Sequence, residues 1–256
     1  MHIGILKVAS ILREKGCRVD VLDFAGVKEK DSHRILDVYM EENPEITTFG
    51  FTATTPQIPF AADLSVYIKK RNPNIKLILG GTHFSLMHSA YKKEVKLGNK
   101  GRAHTDIERL KNIFDVLIAG DGEKIIFNSF DLDKGILDAD DPKTEFFLSS
   151  EEFSTLPMPA RDLVDIDSYN YSIEGHKAVS VIAQLGCPFH CTFCGGRLSP
   201  FLRRIRTRDV DSILYEIEFL YKEYGFTGFM FYDDELNVSK YFLNMLKGLV
   251  DLQKKY

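Results

Sequence analysis

Val179-Ser180-Val181-Ile182-Ala183-Gln184-Leu185-Gly186-Cys187-Pro188-Phe189-His190-Cys191-Thr192-Phe193-Cys194 is the stretch from which the rest of this chain is best read. Its first seven residues form an apolar run expected to be a buried strand, and Gly186 breaks that run as it enters a loop. The loop then holds three of the chain's four cysteines. Three thiolates on one short loop can grip a soft metal centre, and thiolates are the natural ligands of iron–sulfur clusters. A structural zinc site would ask for a fourth ligand to close its tetrahedron. Cys17 is distant, in a helix-to-strand turn, and His190 sits between two cysteines, where reaching the same metal is awkward. Three cysteines with an open coordination position is the reading the donor set favours.

Downstream, Gly195-Gly196 gives the backbone freedom beside this loop, and Arg203, Arg204, Arg206 and Arg208 form a basic run. Bases are unfavourable near the positive end of a helix, so the run suggests a contact to an anionic group as well as a solvated helix start. Asp209 to Tyr224 places Val210, Ile213, Leu214, Ile217, Leu220 and Tyr221 at helical spacing, with Gly225 as the cap. A strand, Gly228 to Tyr232, then runs into Asp233-Asp234-Glu235, ahead of a helix from Ser239 to Lys255. Three acids in a row repel one another unless something cationic sits among them.

Upstream, the first 130 residues alternate between helix and strand. Ile5 to Leu12 has helical spacing and ends at Gly16; Arg18 to Phe24 alternates like a strand. Ile46 to Phe51, Ile75 to Leu79 and Phe114 to Ala119 read as further strands, with a helix from Ala61 to Arg71. Such alternation implies a parallel sheet covered on both faces, with ligands bound beyond the carboxyl ends of its strands. Three loops fall there: Thr52-Ala53-Thr54-Thr55-Pro56-Gln57, Gly80-Gly81-Thr82-His83 and Gly120-Asp121-Gly122-Glu123. The Lys- and Arg-rich stretch from Ala90 to Asn112 reads as a solvated insertion. Asp131 to His176, acidic, turn-rich and carrying Leu156-Pro157-Met158-Pro159-Ala160-Arg161-Asp162, reads as a linker.

With 44% hydrophobic and 27% charged residues the composition is that of a globular protein. A formal net charge of −4 gives no reason to expect nucleic acid or an anionic membrane as partner. No apolar run is long enough to span a bilayer, and clustered cysteines suit a reducing cytoplasm better than a disulfide framework.

The CxxxCxxC spacing of Cys187, Cys191 and Cys194, with aromatic Phe193 before the last cysteine, resembles the signature of the radical S-adenosylmethionine enzymes. The three upstream loops are similar to the cobalamin-binding domain that precedes the barrel in one branch of that family, and Leu156 to Asp162 is similar to its interdomain "LPxPARD" segment. The resemblance implies a flavodoxin-like, Rossmann-type α/β domain over residues 1–130, a linker over 131–176, and from 177 to 256 the start of a partial (β/α) TIM-like barrel. It implies that Cys187, Cys191 and Cys194 bind three irons of a four-iron, four-sulfur cluster, whose fourth iron chelates S-adenosylmethionine. Phe193 would lie beside the adenine. Asp233, Asp234 and Glu235 would be candidates for the methionine ammonium, and Arg204 and Arg206 for an anionic group. Thr54, Thr55 and Gln57, Gly80, Gly81 and His83, and Gly120, Gly122 and Glu123 would line the cobalamin site. The DxHxxG motif that supplies a histidine to cobalt is absent, so cobalamin would be held without one.

The implied chemistry is methyl transfer to an unactivated carbon or phosphorus of a small-molecule or natural-product substrate, with electrons from a donor such as flavodoxin or ferredoxin. Radical cyclisation or rearrangement is the enzymatic alternative, and a non-catalytic iron–sulfur-binding fragment the other. Set against the family pattern, the chain starts at the first helix and stops after two barrel strands. The expectation is therefore an incomplete chain, poorly stable by itself and of doubtful activity.

Overall fold

In the computed structural model, which describes residues 1–256, the chain forms two compact units. One comprises Met1–Val21, Leu148–Thr192 and Leu202–Tyr256; the other comprises Leu22–Phe147 and Phe193–Phe201. In chain order, α1 (Ile3–Glu14) belongs to the first unit, and the next ten elements belong to the second.

The second unit holds α2 (Glu29–Glu42), β1 (Thr48–Thr52), α3 (Ile58–Arg71), β2 (Lys76–Gly80), α4 (Thr82–Lys96), α5 (Arg102–Lys111) and β3 (Val116–Gly120). Two single-turn helices, α6 (Gly122–Ile125) and α7 (Asn128–Asp131), lead to β4 (Gly135–Ala139). The strands form one sheet, all parallel, in the order β1-β2-β3-β4. Leu77 and Leu79 of β2 and Leu117 of β3 join Leu64 and Ile68 of α3, Phe84 of α4 and Ile107 of α5 in one core. Ile78 and Ile118, alternating onto the other face, are also buried. Burial on both faces is why these strands read as continuous apolar runs.

Three expectations need correction here. Arg18 to Phe24 is not a strand. Val19, Val21, Leu22 and Phe24 are half-buried, so the segment covers apolar surface, but its burial does not keep a strand's alternation. A strand also needs a hydrogen-bonding partner, and the sheet ends at β1. Phe24 instead packs edge-on against Phe60, ring centroids 5.6 Å apart. Ala90 to Asn112 is not a solvated insertion: it completes α4 and forms α5, whose Ala103, Ile107 and Leu110 are buried. The Glu94 carboxylate accepts the N–H groups of Gly101, Ala103 and His104 at 2.9–3.1 Å, capping α5. These bonds, that from His104 foremost, hold the Glu94 carboxyl below its ordinary pKa. Finally, the segment read as an acidic linker contains β4, which pairs with β3 from Val116↔Gly135 to Gly120↔Ala139.

The first unit contains, after α1, α8 (Ser150–Thr155), β5 (Ser172–Ile173), β6 (His176–Val181), β7 (Gln184–Leu185), α9 (Pro200–Arg203), of which only the end falls in this unit, β8 (Arg206–Thr207), α10 (Val210–Tyr224), β9 (Gly228–Phe231) and α11 (Phe242–Lys255). β6 pairs parallel with β9, from Ala178↔Gly228 to Val181↔Phe231, with α10 as the crossover between them. Val179, Val181, Ile213, Ile217, Leu220, Phe226 and Met245 form its core. The Asp209 side chain caps α10 by accepting Ser212 N–H, and Gly225 ends it at φ 70°. The apolar run from Val179 to Leu185 is two strands, not one: β6 stops at Val181, and β7 pairs antiparallel with β8 instead. The two-proline segment is structural: Ser10 of α1 donates to Met158 O at 2.7 Å, and Arg13 pairs with Asp162 at 2.7 Å. No helix of the chain is long and apolar enough to cross a membrane.

Candidate functional site

The cysteine loop leaves β7 through Gly186, which has φ 83° and sits so close to Arg204 that a Cβ would lie 2.2 Å from the Arg204 carbonyl oxygen. Only glycine fits both conditions. Cys187 N–H then donates to Leu202 O at 3.0 Å, and the Arg203 guanidinium donates to Pro188 O. Cys187 and Cys194 are half-buried, Cys191 is exposed, and all are free thiols. The backbone from Gly186 to Cys191 has no regular structure. Phe193 is the most exposed large apolar side chain, at 89%. No three His, Cys, Asp or Glu side chains gather around one point suited to a single ion. A four-iron cluster asks for something else, because each thiolate binds a different iron, and three free thiols on an irregular loop are a donor set of that kind.

The basic run divides by environment. Arg204 is exposed, whereas Arg206, in the β7–β8 ladder opposite Leu185, is buried. Arg208 is buried too, and its anion is internal: it binds Glu216 of α10. The solvated helix start is therefore wrong for Arg206 and Arg208.

Of the three acids after β9, Asp233 is half-buried and turns inward. Its carboxylate accepts the N–H groups of Ala183, at 3.1 Å, and Gln184. Asp234 is exposed, and Glu235 contributes its backbone carbonyl to Gln184 Nε2 at 2.9 Å. Burial pushes the Asp233 carboxyl up to about 6, against the opposing pull of the two backbone N–H groups. A carboxyl with a raised folded-state pKa adds stability that is complete below its ordinary pKa and is lost as pH rises through 6. The urea midpoint of the wild type relative to Asp233→Asn should thus fall between pH 4 and pH 7, and a flat difference would count against this environment.

In the sheet unit the three predicted loops meet at the carboxyl ends of adjacent strands β1, β2 and β3. Thr54 and Gln57 close on each other: the Gln57 carboxamide oxygen accepts the Thr54 N–H and hydroxyl, each at 2.8 Å. The Thr55 hydroxyl lies 3.0 Å from His83 Nδ1, and His83 N–H donates to Ala53 O at 3.2 Å, joining the first loop to the second. Burial lowers the His83 pKa, which favours a neutral imidazole. Ser85, absent from the sequence reading, joins the second loop to the third: its hydroxyl donates to Gly81 O at 3.0 Å and accepts Gly120 N–H at 2.9 Å. A Cβ on Gly120, φ 85°, would meet the Ala139 carbonyl carbon at 2.4 Å. Gly80, Gly122 and Glu123 are half-buried around this edge. Exposed Thr54, Thr55 and Gln57 beside neutral His83 offer hydrogen-bonding groups without a fixed charge, which fits a large polar cofactor held without protein coordination of its metal.

Gly81, at φ 92° and ψ −176°, occupies a region open essentially to glycine, and a Cβ would lie 2.5 Å from Thr52 Oγ1. Gly81→Ala is expected to cost about 1–3 kcal/mol, measured by urea denaturation. A neutral result would mean that the loop relaxes without strain.

Sequence reasoning also missed Arg161, Glu216 and Asp140. Glu216 carried a signal: a charge three residues after Ile213 and four before Leu220 lies on the buried stripe of α10. Asp140 carried none, being one acid among several. It is fully buried and accepts hydrogen bonds from Ser89 Oγ, Ser199 Oγ at 2.7 Å and Phe201 N–H at 2.7 Å.

Residues 1–100 match the B12 binding domain family. The chain is 26% identical to the uncharacterized methyltransferase PH0819 of Pyrococcus horikoshii over 239 residues, covering 93% of this chain and 50% of that protein. It is also 26% identical to the anaerobic magnesium-protoporphyrin IX monomethyl ester cyclase of Synechocystis sp., covering 93% of this chain and 46% of the cyclase. The chain thus spans about half the length of these curated relatives. Among solved structures, the radical S-adenosylmethionine methyltransferase TsrM of Kitasatospora setae, with tryptophan substrate and a S-adenosylmethionine analogue bound, superposes with a TM-score of 0.68. That match covers 100% of this chain and 49% of TsrM at 18% identity, and it bears on the fold. The fold is a flavodoxin-like α/β domain followed by the start of a TIM-like barrel.

Proposed function

We propose, from the premise that this chain belongs to the cobalamin-binding radical S-adenosylmethionine enzymes, that it carries the cofactor-binding part of a methyltransferase acting on an unactivated carbon or phosphorus centre. The observation that supports this reading is a pairing within one chain. The CxxxCxxC loop follows a strand exit held open by Gly186, and three glycine- and threonine-bearing loops meet at the carboxyl edge of a B12-type sheet. In this reading the sheet from β1 to β4 serves cobalamin, and the segment from β6 to α11 begins the radical barrel.

Bound here, the cluster and cobalamin would supply electron transfer to S-adenosylmethionine and a methyl carrier. The protein's own part is to hold and orient. Cys187, Cys191 and Cys194 hold irons, and exposed Phe193 offers a face to adenine. Asp234 and Glu235 remain for the ammonium group, since Asp233 spends its carboxylate on two backbone amides. Arg204, exposed, is the better candidate of its pair for an anion. Thr54, Thr55, Gln57 and His83 orient cobalamin by hydrogen bonds. The substrate is a small molecule, as tryptophan is for TsrM, and a flavodoxin or ferredoxin supplies electrons.

A second reading, radical cyclisation, is favoured by the similarity to the Synechocystis cyclase. Supplying the reconstituted chain with S-adenosylmethionine labelled in its methyl group separates the two. Label appearing on added cobalamin supports methyl transfer. Formation of 5′-deoxyadenosine with no label on cobalamin supports cyclisation.

A further inference from the structure

Glu216 places a full charge on the buried face of α10. It is 1% exposed, and its two partners, Arg161 and Arg208, are 3% and 4% exposed. Arg161 Nη1 donates to Glu216 Oε1 at 2.6 Å, and Arg208 Nη1 donates to Oε2. Both guanidiniums also reach the main chain at one place. Arg161 Nη2 donates to Ser180 O at 2.8 Å, and Arg208 Nη1 donates to Ile182 O at 3.0 Å. From there the chain leaves β6, and Asp233, just past the end of β9, takes the next two amides, those of Ala183 and Gln184.

Burying three charges forfeits their hydration, and apolar residues of similar volume often serve stability as well or better. What apolar residues cannot do is donate hydrogen bonds to carbonyls at the point where a strand leaves its sheet. That exit leads within five residues to Gly186, seated against Arg204 O, and to Cys187, tied to Leu202 O. The limb entering the loop is held by named bonds at nearly every residue, whereas Cys191, further along, is exposed.

We propose that the Arg161–Glu216–Arg208 triad positions the cysteine loop: by gripping the Ser180 and Ile182 carbonyls it fixes the exit of β6 and so the placement of Cys187. The inference rests on the reading of Cys187 as a cluster ligand. Glu216 orients the two arginines, and the arginines orient the chain; none of the three touches the cluster.

The test uses the full chain as wild type, as Glu216→Gln, and as the triple variant Arg161→Met, Glu216→Leu, Arg208→Met. The first readout needs no cluster. The chain without metal is treated with iodoacetamide, and alkylation of each cysteine is followed by peptide mass. Half-buried Cys187 should react about tenfold more slowly than Cys191 in the wild type, and the contrast should vanish in both variants while Cys17 is unchanged. The second readout is iron affinity after anaerobic reconstitution, which should fall about tenfold or more in the folded triple variant. Circular dichroism establishes folding. Where the variants do not fold, Arg161→Lys, which keeps the charge toward Glu216 but gives up the bond to Ser180 O, carries the same comparison. A folded variant with wild-type Cys187 reactivity and iron affinity overturns the proposal. A wild type that takes up no cluster, yet shows the alkylation contrast and its loss in the variants, overturns the ligand reading and leaves the positioning intact.

Discussion

Cys191→Ala is expected to abolish cluster uptake, lowering iron after anaerobic reconstitution from about four per chain to about one or less. Cys191 is the exposed member of the three thiols, so its removal deletes a ligand without opening a cavity or unpairing a buried group. Thermal stability and the circular dichroism spectrum should be unchanged, which separates lost ligation from lost folding. Cys17→Ala provides the control: that cysteine lies outside the loop, and the variant should load iron like the wild type. Full iron in Cys191→Ala would mean that the loop does not ligate as the CxxxCxxC spacing implies.

Glu216→Ala is expected to destabilise the chain by about 3–5 kcal/mol, the range for removing one partner from a buried ion pair. In a chain of this size that lowers the melting temperature by roughly 10 °C. The cost comes from Arg161 and Arg208, left buried with their shared anion gone. Burial works to raise the Glu216 carboxyl, but the charges of Arg161 and Arg208 and their hydrogen bonds outweigh it, and its pKa is lowered. The stability it contributes is therefore present above the ordinary carboxylate range and is lost as pH falls through the lowered value. The penalty of Glu216→Ala should shrink in strong acid. A penalty under about 1 kcal/mol at neutral pH would mean that water or other groups take over the guanidiniums.

What could be read from the sequence was what local pattern determines. The apolar runs at Ile75 to Leu79 and Phe114 to Ala119 are strands because both of their faces are buried, and the glycines that stop them mark the loops at the sheet's carboxyl edge. What could not be read depends on partners distant in sequence. Arg18 to Phe24 reads as an alternating strand, but no neighbouring strand pairs with it. Gly135 to Ala139 is a strand although it lies in an acidic tract, because β3 supplies a parallel ladder. Ala90 to Asn112 looked like a charged insertion because its apolar residues are spaced for a helix face and hidden among lysines and arginines. Arg206 and Arg208 looked solvated because arginine usually is; in the fold Arg206 lies in the β7–β8 ladder, and Arg208 binds Glu216 and the Ile182 carbonyl. Asp233 could be singled out as one of three acids, but its inward turn follows from where Ala183 and Gln184 present their amides.

The central claim is that Cys187, Cys191 and Cys194 hold a cluster that engages S-adenosylmethionine. The most direct test is electron paramagnetic resonance of the reduced, anaerobically reconstituted chain, before and after S-adenosylmethionine is added. The account predicts a four-iron signal that shifts on addition and is missing from Cys191→Ala. A cluster whose signal is indifferent to S-adenosylmethionine, or a chain that takes up zinc instead, would contradict it.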